Sequence, residues 1–136
     1  MRAVLVLVAL SASCTPSPDS PSGLRLALSA AGIASASLSE VRVIPAEGSG
    51  YQKAVTLSSV DFWKALDESG TAGHRCCCIM GTIQLFTTSN RVEPAASIVI
   101  HDGEGMKLKA GGRVVEFESE ALREAVRRRL ELSAKL

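Results

Sequence analysis

The chain has 136 residues, 15 Lys+Arg against 14 Asp+Glu, 46% hydrophobic and only 4% aromatic residues. That length suits one ordinary domain. Near-neutral charge and a supply of 3 Phe, 1 Trp and 1 Tyr leave neither the basic footprint nor the stacking platforms that nucleic-acid binding needs.

The N-terminus reads as an address. Arg2 precedes an apolar run at residues 3–10 (AVLVLVAL). At about 1.5 Å per helical residue this run cannot cross a hydrocarbon core about 30 Å thick. A short apolar run behind a single positive charge fits the h-region of a secretory signal. The small residues Ser11, Ala12 and Ser13 then lead to Cys14. This LSASC pattern resembles the signal of bacterial lipoproteins, a likeness confined to residues 1–14. The resemblance implies cleavage before Cys14, diacylation of its thiol and acylation of the new amino group, with palmitate among the chains. It places the protein at a bacterial cell envelope. Thr15 in the place of an Asp implies, for a double-membraned cell, the periplasmic side of the outer membrane. Ordinary cleavage after Ser13, leaving a secreted or periplasmic soluble protein, and an uncleaved anchor are the alternatives.

At about 0.8 kcal/mol per buried methylene, two or three acyl chains hold a soluble domain on a bilayer. Residues 15–23 (TPSPDSPSG) are rich in Pro and Ser, too polar to build a core and biased to extended conformations. The expected organisation is a signal peptide at 1–13, a lipidated Cys with its tether at 14–23, and a single domain at 24–136.

Residues 24–36 allow either a short helix or a strand, because Leu24, Leu26 and Leu28 alternate. Residues 38–45 (LSEVRVIP) set Val41 and Val43 against Glu40 and Arg42 and predict a strand ending at Pro45. A Gly-Ser-Gly turn follows, with a returning strand within 52–57. Ser58 or Ser59 can cap a helix reaching Ser69, with Asp61 in its first turn and Gly70 as its stop. Four strands are predicted next, at 78–87, 97–101, 106–109 and 113–118, joined in part by DGEG at 102–105 and GG at 111–112. The clearest helix runs from Glu120 to Ala134, capped by Ser119, with Leu122, Val126 and Leu130 on one face. The expected fold is α+β: an antiparallel sheet, a meander in its second half, with a middle helix and a C-terminal amphipathic helix packed on one face.

One cluster carries chemistry. His74 and the consecutive Cys76, Cys77 and Cys78 are an odd set of thiols once Cys14 goes to lipid. If the strand extends back to His74, alternation puts His74, Cys76, Cys78 and Met80 on one face and Cys77, Ile79, Ile83 and Leu85 on the core side. Imidazole, thiol and thioether together are soft ligands suited to copper or zinc, and His101 can complete the set from a neighbouring strand. Against this, strand positions i and i+2 lie roughly 6.6 Å apart, wide for chelation. Disulfide or redox chemistry among Cys76, Cys77 and Cys78 is the rival, favoured outside the cytoplasm. Catalysis is the least supported reading: Asp102 follows His101 and faces away from it on a strand, so it cannot orient the imidazole.

The expectation is therefore a non-enzymatic, lipid-anchored envelope domain. It would contact the membrane through its acyl chains and bind a protein ligand, such as an envelope complex or a hydrolase it inhibits. The alternative is a copper, zinc or thiol-redox module at His74, Cys76 and Cys78, with His101.

Overall fold

A computed structural model describes residues 21–70, 78–103 and 105–135. The signal, Cys14, His74, Cys76 and Cys77 lie outside the described residues. The elements are α1 (Pro21–Ala30), β1 (Leu38–Pro45), β2 (Val55–Leu57), α2 (Ser59–Asp67), β3 (Ile79–Thr87), β4 (Ala96–His101), β5 (Met106–Ala110), β6 (Arg113–Phe117) and α3 (Glu120–Ala134). The strands form a six-stranded sheet in the order β2-β1-β3-β4-β5-β6, antiparallel throughout. The fold is the expected α+β arrangement, with an unbroken meander from β3 to β6.

The alternation read from β1 places Val41 and Val43 inside. Pairing in register carries that face across the sheet through Ile83 and Leu85, Ile98 and Ile100, Leu108, and Val115 and Phe117. Among the described residues all three helices pack onto it, giving one core in which Leu24, Leu28, Phe62, Leu66, Leu122, Val126 and Leu130 meet the strands. The opposite face carries Thr56, Arg42, Gln84, Ser97, Lys109 and Val114 in a row of paired residues. Polar side chains there meet water without desolvation cost, so one side of an antiparallel sheet can stay uncovered.

Residues 24–30 are helical. Leu24, Ala27 and Leu28 are buried while Leu26 is 55% exposed, a helical i, i+3, i+4 face that the alternating leucines concealed. Pro21 to Gly23, grouped by composition with the tether, belong to α1. A proline costs little there because the first helical turn leaves its N–H groups without intrahelical partners. Helix α2 stops earlier than Gly70, with Glu68 as C-cap, and Gly70 has no positive φ. Gly70 instead exchanges two backbone hydrogen bonds with Glu118, at 2.8 and 3.0 Å.

Trp63 is buried edge-on to Phe62, its ring covered by the Arg25 guanidinium at 4.5 Å. Arg25 also makes a bidentate pair with Asp67, joining α1 to α2. The glycines predicted to turn the chain do so where left-handed backbone is needed: Gly111 and Gly112 have φ of 56° and 77° between β5 and β6. Among the described residues no helix is long and apolar enough to cross a membrane.

Candidate functional site at the Cys78–His101 end of the sheet

Strands β3 and β4 are neighbours, so the histidine that could complete the cysteine cluster comes from the adjacent strand. Ile79 pairs with His101, and the Asp102 N–H donates to the Cys78 carbonyl at 2.9 Å. The register shifts between Ile79 and Gly81, where two steps on β3 match one on β4. Such a bulge reverses which face successive side chains take. Met80 is therefore in the core at 4% exposure, and Ile79 is outside at 46%. This corrects the face assignment made by uninterrupted alternation, which put Ile79 inside and grouped Met80 with Cys78 as an outward ligand.

Cys78 is exposed and His101 is buried at 9% exposure. Cys78, Ile79 and Met80 line a cleft of about 310 Å³ together with Ser49 and Tyr51 of the β1–β2 connection, Asp102 and Arg127. Asp102 stands 3.8 Å from the Arg127 guanidinium. Among the described residues no three of His, Cys, Asp and Glu gather closely enough to hold a metal. Of the proposed ligands, Cys78 and His101 are described, while His74, Cys76 and Cys77 lie outside the described residues.

The strongest polar feature at this end escaped sequence reasoning. Arg123, in the first turns of α3, is 3% exposed and runs its guanidinium under the β4–β5 turn. Its Nε donates to the His101 carbonyl at 3.1 Å. Its Nη2 and Nη1 reach the two Glu118 carboxylate oxygens at 2.5 and 3.1 Å, and Nη1 also meets Glu120 at 3.3 Å. Glu118 Oε1 accepts in addition from the backbone N–H groups of Gly105 and Ser119, at 3.2 and 3.1 Å. Burial pushes the Glu118 carboxyl up, but the hydrogen bonds from Arg123, Gly105 and Ser119 outweigh it and hold it below its usual range. The fork of a guanidinium matches a carboxylate with two parallel bonds and keeps a donor for the carbonyl, which explains an arginine at this buried position. An arginine one turn into an amphipathic helix carries no sequence signal of burial, since this residue type is normally solvated.

The three consecutive arginines at 127–129 take different partners in the fold. Arg127 pairs with Glu124 and faces Asp102, Arg129 donates to the Thr56 carbonyl on edge strand β2 at 3.0 Å, and Arg128 is exposed. Strands β4 and β5 pair as a hairpin, and Gly105, just before β5, takes φ 99°.

No family model, curated protein or solved structure matches this chain.

Proposed function

We propose that the chain is a small envelope lipoprotein, anchored through acyl chains on Cys14, whose α+β domain acts by binding a protein ligand and not by catalysis. The observation that carries this reading is the signal pattern through Cys14 followed by a domain whose described core begins only at Leu24. Acylating Cys14 displaces none of those core groups, and a tether from Cys14 to Pro21 spans at most about 25 Å at 3.3–3.6 Å per residue. The domain would thus work close to the bilayer. Binding is preferred over turnover because the polar groups gathered at the end of the sheet, Glu118, Arg123 and the backbone of Gly105 and Ser119, satisfy one another and serve the fold.

The test is fractionation of the full chain expressed in a double-membraned bacterium, with labelled palmitate. The native sequence is expected in the membrane fraction with label, and Cys14→Ala in the soluble fraction without it. A Cys14→Ala protein that stays with the membrane overturns the anchoring.

A second reading, a copper, zinc or thiol-redox site at His74, Cys76, Cys78 and His101, is supported by the β3–β4 register, which sets His101 opposite Ile79, next to Cys78. Full chain purified without oxygen would be titrated for thiols and analysed for copper and zinc. Bound metal or a disulfide lost in Cys76→Ser/Cys78→Ser supports it. Metal at background, with all thiols reduced in air, eliminates it.

A further inference from the structure

Where edge strand β2 meets the last turns of α3 there is a cavity of about 320 Å³, lined by Arg42, Ala54, Val55, Thr56, Arg129 and Ser133. Among the described residues two guanidiniums and two hydroxyls line it, and no carboxylate does. Only the closed sheet brings these groups together: Arg42 pairs with Thr56 across β1 and β2, and Arg129 comes from α3.

Each guanidinium is held by one set of contacts and keeps donors to spare. Arg129 gives its Nε to the Thr56 carbonyl at 3.0 Å, and among the described residues its Nη1 and Nη2 make no hydrogen bond or ion pair. Arg42 stacks on the Phe86 ring at 4.5 Å and gives Nε and Nη2 to the Glu40 carboxylate at 2.9 and 3.2 Å, which leaves its Nη1. Glu40 offsets one of the two positive charges without lining the cavity. Lys53, exposed one residue before Ala54, shares the adjoining cavity with Ser133 and adds a further positive charge. Glu131 is two residues from both Arg129 and Ser133, about 200° round the helix from each. The final carbonyls of a helix repel anions, but those of Leu132 and Ser133 accept from the Lys135 N–H.

We infer that this cavity binds a phosphate group, with Nη1 and Nη2 of Arg129 donating to two of its oxygens and Arg42 Nη1 and the Thr56 and Ser133 hydroxyls to the others. A guanidinium presents a planar pair of donors matched to two phosphate oxygens. The bond from Nε to Thr56 fixes that plane in advance, so little side-chain freedom is lost on binding. A carboxylate is satisfied by one such pair, whereas the tetrahedral oxygens of a phosphate use donors arriving from several elements, as they do here from β1, β2 and α3. The volume leaves room for the group that the phosphate esterifies. A soluble phosphate ester and the headgroup of an anionic phospholipid offer the same chemistry. The inference is independent of the lipid anchor and of the cysteine cluster.

The full chain carrying Cys14→Ala, which removes the proposed lipidation site, would be titrated calorimetrically with inorganic phosphate. In a second arm it would be titrated with phosphatidylcholine vesicles, with and without phosphatidylglycerol. Saturable binding of phosphate with a Kd of about 1 mM or tighter is expected, within what so few atoms can supply. Arg129→Ala should weaken it about tenfold or more, the loss of a charged hydrogen-bonded contact. Arg128→Ala removes the same charge outside the cavity and should change affinity by less than about twofold. Ser133→Asp leaves the Arg129–Thr56 bond in place and should abolish binding by setting a carboxylate against the phosphate. Circular dichroism melts establish that each variant is folded, and Ser133→Asp decides if Arg129→Ala is not. Vesicle binding that needs phosphatidylglycerol and is displaced by phosphate assigns a lipid headgroup, and phosphate binding without it assigns a soluble ester. No saturable phosphate binding up to about 10 mM overturns the inference whatever the vesicles show. So does binding that Arg128→Ala and Arg129→Ala weaken equally, or binding indifferent to Ser133→Asp.

Discussion

Replacing Arg123 by Met tests whether the buried guanidinium network holds the β4–β5 turn to α3. Met keeps most of the apolar stem and removes the Nε bond to the His101 carbonyl and both bonds to Glu118. Breaking a fully buried pair costs about 3–5 kcal/mol because the surviving charge stays dry. Glu118 retains 19% exposure and the backbone donors of Gly105 and Ser119, which lowers the expected loss to about 2–3 kcal/mol. For a domain near this size that is a fall in Tm of about 6–12 °C.

The loss must also depend on pH with a definite sign. The native Glu118 carboxyl lies below its ordinary value of 4.5, so its contribution is complete above that pH and is lost as pH falls through the lower folded value. In Arg123→Met the bonds from the guanidinium are gone while burial and the Gly105 and Ser119 N–H donors remain, so the carboxyl is held down less and the variant loses less of this contribution in acid. Urea unfolding at pH 7, 5, 4 and 3 should show a deficit that is level between pH 7 and 5 and shrinks from pH 4 to pH 3. A deficit under about 1 kcal/mol at pH 7, or one that is the same at every pH, refutes the reasoning.

The Ser119 hydroxyl accepts from the Leu122 N–H at 3.1 Å and donates to the Ala65 carbonyl at 2.9 Å, joining a helix cap to a tertiary bond between α3 and α2. Ser119→Ala should cost about 2 kcal/mol in urea unfolding, roughly twice an exposed cap, and a loss below about 0.5 kcal/mol would contradict the double role. Gly81 opposes Pro45, and a Cβ on it would lie 2.8 Å from the Ile44 carbonyl oxygen, a backbone atom with no freedom to move aside. Gly81→Ala should destabilise by about 1–3 kcal/mol, read as a lowered Tm, and an unchanged Tm would show that β1 and β3 separate easily.

The C-terminal helix, its Ser119 cap and the bounds of β1 are legible from residue pattern alone, because a cap, a four-residue apolar spacing and a two-residue alternation each report on a few neighbouring residues. The N-terminal helix is less legible. Three alternating leucines compete with Ala27, whose small side chain gives little hydropathy signal although it is buried. Gly70 looks like a helix stop, yet its conformation is set by Glu118, far along the chain, through a two-bond bridge. At the candidate site, sequence brings His101 and Cys78 to the right strands but misplaces Met80 and Ile79. The bulge that exchanges them arises from pairing with β4 and has no marker in the segment itself.

What the sequence by itself determined is local. It sets the α+β class, the meander of β3 to β6 and the capped final helix, while the envelope address proposed from the residues before Cys14 is decided by the lipidation experiment. Tertiary structure decided which face of each strand is inside beyond the bulge, that Arg123 is a buried clamp among the solvated arginines of α3, and that Arg42 and Arg129 line one cavity beside edge strand β2. The reason is the range of the forces. Propensity, capping and periodicity act over one or two turns of chain, whereas register, desolvation and ion-pair geometry depend on residues such as His101, Glu118 and Thr56 that approach only when the sheet closes.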